Sequence, residues 1–202
     1  MKAVDAKFAR ELAARLVSDL DLDPRSVFAT GMSNGGDTCY LLACQPQPFV
    51  QAIAPTAGCM MLVWTNSFML PARLSVMEVH GTSDGITHWN GDLPNHDGYG
   101  AYLGTEAVMD FWVRKLALEK SSTMEIGGNS SAEKRVLPVR LHHWWTTMDS
   151  VAVRLYEIQG GHHDWPGHLG NPEISTAEDI WNFFQRHRPG FFRILFCPPC
   201  AS

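Results

Sequence analysis

Nowhere in this chain of 202 residues does an unbroken apolar run approach the ~18 residues that a membrane-spanning helix needs. Basic charge is scarce as well: 16 Lys and Arg stand against 21 Asp and Glu, a formal net charge of −5. A mildly acidic chain with no basic stripe has little to set against a row of phosphates, which argues against a nucleic-acid partner. The opening MKAVDAKFAREL carries a charge every few residues and lacks the apolar core of a secretory signal peptide. Cysteine is sparse and odd in number: Cys39, Cys44, Cys59, Cys197 and Cys200. Five are too few for a disulfide scaffold, and at least one stays unpaired in a monomer. Cys197-Pro-Pro-Cys200 has the spacing of a redox or metal pair, but it has no second pair and no helix start beside it, so it reads as an incidental tail. No H-E-x-x-H occurs, and no metal is expected. Asn129-Ser130-Ser131 is a glycosylation triplet of a kind common by chance. With 45% hydrophobic and 18% charged residues, what remains is one globular domain with a sizeable core.

Along the chain, short apolar runs alternate with helical periodicity. Val4, Phe8, Leu12 and Leu16 recur at four-residue steps, with Ala9, Ala13 and Leu20 widening the stripe, and Asp23-Pro24 ends this helix. Ser26 to Thr30 is a β-prone run stopped by Gly31, and Asp37 to Cys44 follows as a helix. Further strands are expected over Phe49–Ala57, Leu74–Val79 and from Val151 to Gly160. Thr105–Leu118 places Val108, Trp112, Val113 and Leu116 on one helical face. Ser175-Thr176-Ala177-Glu178 is a capping-box pattern opening a helix with Ile180, Trp181, Phe183 and Phe184. Residues 119–150 are polar and irregular, with a hairpin around Val136–His143 as their only regular feature. Compact apolar strands separated by helices imply a mainly parallel sheet covered on both faces, an α/β organisation of about four strands.

Gly31-Met32-Ser33-Asn34-Gly35 matches G-x-S-x-G, with a strand before it and a helix after it. A nucleophilic serine on a strained strand-to-helix turn needs glycines around it so that side chains do not collide. The helix N-terminus offers the Asn34 N–H to a developing negative charge. A serine needs a base, and the base an orienting acid. Asp84 lies just beyond the third strand and His163 just beyond the fourth, both where parallel strands end in a crevice. The order Ser33, Asp84, His163 is that of an α/β hydrolase. His88 and Trp89 follow the acid and Trp165 follows the base, so they and Met32 are candidates for the substrate wall. Ordinary packing is the competing reading for the two tryptophans, and the one adopted for Trp64, Trp112, Trp144, Trp145 and Trp181. His142, His143, His168 and His187 read as solvated.

The blocks DPRSVFATGMSNGG, AIAPTAG, HGTSD, GGHHDWPG and STAEDIWNFF together resemble the polyhydroxybutyrate depolymerase and feruloyl esterase group of α/β hydrolases, over roughly residues 8–187 with gaps at 60–70 and 119–150. The resemblance implies a serine carboxylester hydrolase without cofactor, acting on feruloyl or acetyl polysaccharide or hydroxyalkanoate-type esters, and a secreted protein. It implies Ser33 as nucleophile, Asp84 as acid and His163 as base. Where the family pattern has a third glycine this chain has His162; the H-x-W-P spacing of His163-Asp164-Trp165-Pro166 selects His163. The family pattern also has strands and helices before the serine strand, which only about 26 residues precede here. The expectation is therefore one catalytic domain over residues 1–202, with 188–202 an irregular tail, and with the N-terminal part of the family fold missing. The serine strand would lie at an open sheet edge prone to self-association, and the oxyanion hole would hold the Asn34 N–H alone. The alternative is a weak or inactive remnant that only binds or associates.

Overall fold

The computed structural model describes residues 3–66, 74–126, 137–146, 151–167 and 174–188. The Cys197–Cys200 pair, the Asn129 triplet and His168 lie outside them. The elements run α1 (Ala3–Asp19), β1 (Phe28–Met32), α2 (Asn34–Ala43), β2 (Ala52–Thr56), β3 (Ser75–Gly81), β4 (Gly91–Asp92), β5 (Tyr102–Leu103), α3 (Thr105–Lys115), β6 (Lys120–Ile126), β7 (Val139–Trp145), β8 (Ala152–Ile158) and α4 (Thr176–His187). The main sheet has the order β1-β2-β3-β8-β7-β6; its first four strands are parallel and its last two antiparallel.

Every residue of β2 and β3 is buried, which explains why these strands read as continuous apolar runs and not as alternation. On one face Ile53, Val76 and Leu155 meet Tyr40 and Leu42 of α2 and Val108 and Trp112 of α3. On the other, Ala54, Met77, Val79 and Ile158 meet Ile180 and Phe183 of α4. Phe28 of β1 stacks on Phe184 of α4 with ring centroids 4.8 Å apart, tying the first strand to the last helix.

Two expectations are corrected. The main sheet has six described strands, not about four, because residues 120–126 and 139–145 form β6 and β7. All but the last residue of β6 are exposed; as an edge strand it tolerates Lys120, Ser121, Ser122 and Thr123, and so shows no apolar period. His142 and His143 belong to β7 and are half-buried. His142 Nε2 lies 2.8 Å from Glu157 Oε2, and the His143 ring stacks on Trp145. His187 is likewise partly buried, its ring edge-on to Phe183.

The serine strand β1 does lie at a sheet edge. Among the described residues little covers the stripe of α1: Phe8, Leu12, Leu16 and Leu20 are 66%, 46%, 46% and 61% exposed, while Ala6 is buried and Ala9 packs against the core. Between α1, β1 and α4 runs an apolar groove of about 550 Å³, lined by Leu16, Val17, Phe28, Trp165, Trp181 and Phe184. Trp181, read as a packing residue, is exposed along it.

Candidate active site

Parallel strand order puts the ends of β1, β3 and β8 on one side of the sheet, and each carries one of the three residues singled out above. β1 runs into a turn in which Ser33 has φ 56° and ψ −123°, a strained conformation for a residue with a Cβ. The turn is tight because backbones touch. A Cβ on Gly31 would sit 2.8 Å from the Gly35 carbonyl carbon, and one on Gly36 would sit 2.9 Å from Gly58 Cα. Gly35, by contrast, faces open space, so packing demands Gly31 and Gly36 but not all three glycines. The Ser33 N–H donates to the Thr56 carbonyl at 2.9 Å, fixing the turn to β2.

The ends of β3 and β8 are pressed together in the same way. A Cβ on Gly81 would lie 2.2 Å from the Gly161 carbonyl oxygen, and the Ser83 N–H donates to that oxygen at 2.9 Å. This crossing brings the Asp84 loop against the His163 loop. Asp84 Oδ1 accepts from the N–H groups of Ile86 and Thr87 at 2.8 and 2.9 Å, and Oδ2 accepts from His163 Nδ1 at 2.8 Å. Burial raises the Asp84 pKa, but the Ile86 N–H, the His163 ring and Thr87 outweigh it and hold the carboxyl below its ordinary value. Its contribution to stability is therefore complete above the unfolded value of about 3.9 and is lost as pH falls through the lower folded value.

With Nδ1 given to Asp84, His163 Nε2 has no hydrogen-bond partner among the described residues. Its hydrogen bonds among the described residues run to Asp84 and Thr87, none to Ser33. His162 turns instead to the Ser83 carbonyl oxygen, 3.1 Å from its Nδ1, and is exposed. Of the two adjacent histidines, His163 is the one that meets the acid.

Ser33 opens into a cavity of about 380 Å³ whose lining includes Asn34, Asp37, Thr87, His88 and Tyr99. Asn34 and His88 are thus where the sequence placed them; His88 Nε2 pairs with Asp97 at 3.0 Å. Met32, Trp89 and Trp165 are not among the described residues lining it. Met32 ends β1 opposite Thr56, and Trp89 packs against the core with its ring edge-on to His80. Trp165 is carried into the apolar groove because the loop doubles back at Gly167, where φ is 92° and a Cβ would lie 2.3 Å from the Ile174 carbonyl oxygen. The described wall is therefore phenolic, from Tyr99 and Tyr102, with Ile86 and the polar side chains above beside them, and not indole. Tyr99 Oη lies 2.7 Å from both Asn34 Oδ1 and Asp37 Oδ2. Burial and the Asp37 carboxylate push this phenol up, so it keeps its proton.

Sequence reading missed Tyr99, Asp37, Thr87 and the buried Glu78 and His80. Only the last two left a signal: ionisable residues inside an otherwise apolar strand run. Cys39, Cys44 and Cys59 are buried free thiols. Among the described residues no group of three His, Cys, Asp or Glu could hold a metal, and no helix is long and apolar enough to cross a membrane.

The class that this architecture defines is the α/β-hydrolase fold: a mainly parallel sheet flanked by helices, with its candidate residues at the strand ends. The structure superposes on acetyl xylan esterase from Aspergillus awamori with a TM-score of 0.53, covering 90% of this chain and 67% of that one at 12% identity. Esterase PE8 gives a TM-score of 0.49 over 85% of this chain and 56% of that one, at 16% identity. In sequence, 93 residues (45% of this chain) are 29% identical to feruloyl esterase B of Piromyces equi. That match spans 17% of the relative's own length. No family model matches the chain.

Proposed function

We propose that this protein is a serine carboxylester hydrolase acting through an acyl-enzyme. The observation that carries the reading is the strained Ser33 turn at the end of β1, set on the same side of the sheet as a buried Asp84 hydrogen-bonded to His163. Ser33 Oγ attacks the ester carbonyl while His163 Nε2 takes its proton and Asp84 holds the resulting imidazolium. The Asn34 N–H, in the first turn of α2, faces the oxyanion. His163 then returns the proton to the leaving alcohol. Water, activated by the same ring, hydrolyses the acyl-enzyme, and no cofactor enters the cycle.

The relatives support feruloyl or acetyl esters of polysaccharide as the substrate class, with hydroxyalkanoate polyester as the further member implied by the sequence resemblance. Hydrolysis rates on a panel of cinnamoyl, acetyl and hydroxyalkanoate esters test this. Turnover of one group marks the substrate, and no turnover of any ester would sink the reading. Asp84→Asn is expected to lower kcat by up to about 10⁴-fold, because an amide at this position accepts less well from Nδ1–H and favours the wrong tautomer of His163. Steady-state kinetics on the folded variant check it.

A second reading has its own observation. The apolar groove beside the open edge of β1 is wide enough, and its α1 stripe exposed enough, to drive association of two copies through that edge. Sedimentation velocity is expected to show concentration-dependent self-association that Leu16→Glu and Trp181→Glu abolish. A monodisperse wild-type monomer at high concentration would contradict it.

A further inference from the structure

β3 buries two ionisable side chains on one face, Glu78 and His80, and the reaction above uses neither. Such groups persist in a core only when each is paired. Glu78 Oε2 accepts from the Tyr40 hydroxyl at 2.7 Å, and Oε1 faces His80 Nδ1 at 2.9 Å. The other ring nitrogen of His80, Nε2, lies 2.8 Å from the Thr87 carbonyl oxygen and 3.5 Å from Asp84 Oδ2. A carbonyl oxygen only accepts, so Nε2 carries a proton. A bare Nδ1 lone pair against a carboxylate oxygen would be repulsive, so a second proton lies between Nδ1 and Oε1. Asp84 Oδ2, which accepts from His163, thus stands between two imidazole rings: one is partly exposed in the loop after β8 and one is sealed in the strand.

We propose that His80 is a positioning residue: doubly protonated and clamped by Glu78, it fixes Asp84 from behind and sets a buried positive charge beside it. The inference rests on His163 as the base of the reaction. Burial opposes the charge on His80, but Glu78 overcomes it and His80 is raised; Glu78 is itself raised, by burial first. Both directions keep a proton between the two groups; the raised His80 places it on the ring, where the Thr87 carbonyl and Asp84 also favour the charge. The other ionisable groups around the pair do not supply the charge. From α2, burial and Glu78 push the Tyr40 phenol up, and burial lifts the Cys39 thiol to about 12; Cys59, after β2, is raised by burial too. Asp37 of α2 accepts from the Cys59 N–H. From β8, Glu157 stands opposite His80 in register but is paired with Arg140 and His142, and Asp164 adjoins His163 in the chain.

The test is ¹⁵N NMR of histidine-labelled protein across roughly pH 5 to 9, the range in which imidazoles titrate. In the wild type both His80 ring nitrogens should stay protonated through neutrality. In Glu78→Gln, His80 should carry one ring proton at neutral pH, and the His163 ring nitrogen signals should move as the cation beside Asp84 is lost. If Glu78→Gln does not fold, His80→Gln keeps a donor for the Thr87 carbonyl without the charge and should move the His163 signals likewise. A singly protonated His80 in the wild type, or unmoved His163 signals in either folded variant, would overturn the proposal. The readout needs no substrate, so failure of the esterase reading shows separately, as absent hydrolysis with the two rings still coupled. With a turned-over ester in hand, kcat should fall several-fold in either variant while KM holds.

Discussion

Ser33→Ala is expected to lower ester hydrolysis by on the order of 10⁶-fold while the thermal transition stays cooperative. The size follows from the division of labour at the turn. Only the hydroxyl of Ser33 can form the acyl bond, and the base, acid and N–H donor act through it, so their effects collapse together when it goes. The fold should tolerate the change. Alanine keeps the Cβ at φ 56°, and the turn is held by the Ser33 N–H on Thr56 and by the backbone contact of Gly31 with Gly35, neither of which involves the hydroxyl. Initial rates and a thermal melt of the same preparation decide it. Activity retained in a folded Ser33→Ala would remove Ser33 from the mechanism.

His163→Ala is expected to cost as much as Ser33→Ala, about 10⁶-fold, and His162→Ala only a few-fold. The adjacent rings look equivalent in sequence but not in space. His163 gives Nδ1 to a buried carboxylate, whereas His162 meets the Ser83 carbonyl oxygen at the surface. A buried Asp84 left without His163 also stays desolvated, so the His163 variant should lose some stability that the His162 variant keeps. The opposite order of effects in a parallel kinetic comparison would move the base one residue upstream.

How much of this was legible before the structure depended on burial. β1, β2, β3 and β8 could be read because they are the inner, apolar part of the sheet or lead directly into glycine turns. The G-x-S-x-G turn, Asp84 and His163 could be placed after strands from the sequence, and parallel topology puts the ends of β1, β3 and β8 on one side. β6 was not, since an exposed edge strand has no period to show; β7 overlaps the hairpin expected around Val136–His143, but its partner is β6 and its two histidines and two tryptophans serve opposite faces. α1 displayed a helical stripe, but a stripe does not say whether anything covers it; here Phe8 and Leu12 face outward. Ser175 does precede α4, yet its side chain makes no capping hydrogen bond. Trp165 was assigned to the substrate wall from its closeness to His163 in the chain, and the reversal at Gly167 sends it to the groove instead. The cavity's actual lining, Tyr99 with Asp37 and His88 with Asp97, joins segments far apart in sequence, which spacing does not reveal.

The central claim is that Ser33 is a nucleophile made reactive by His163 and Asp84. Mass spectrometry after brief exposure of the folded protein to a fluorophosphonate ester tests it most directly, because the probe needs no knowledge of the natural substrate. The expected result is rapid, stoichiometric addition of one phosphonyl group, mapped to the peptide holding Ser33, abolished in Ser33→Ala and strongly slowed in His163→Ala. Folded wild-type protein that stays unlabelled, or an adduct on any other residue, would contradict the account.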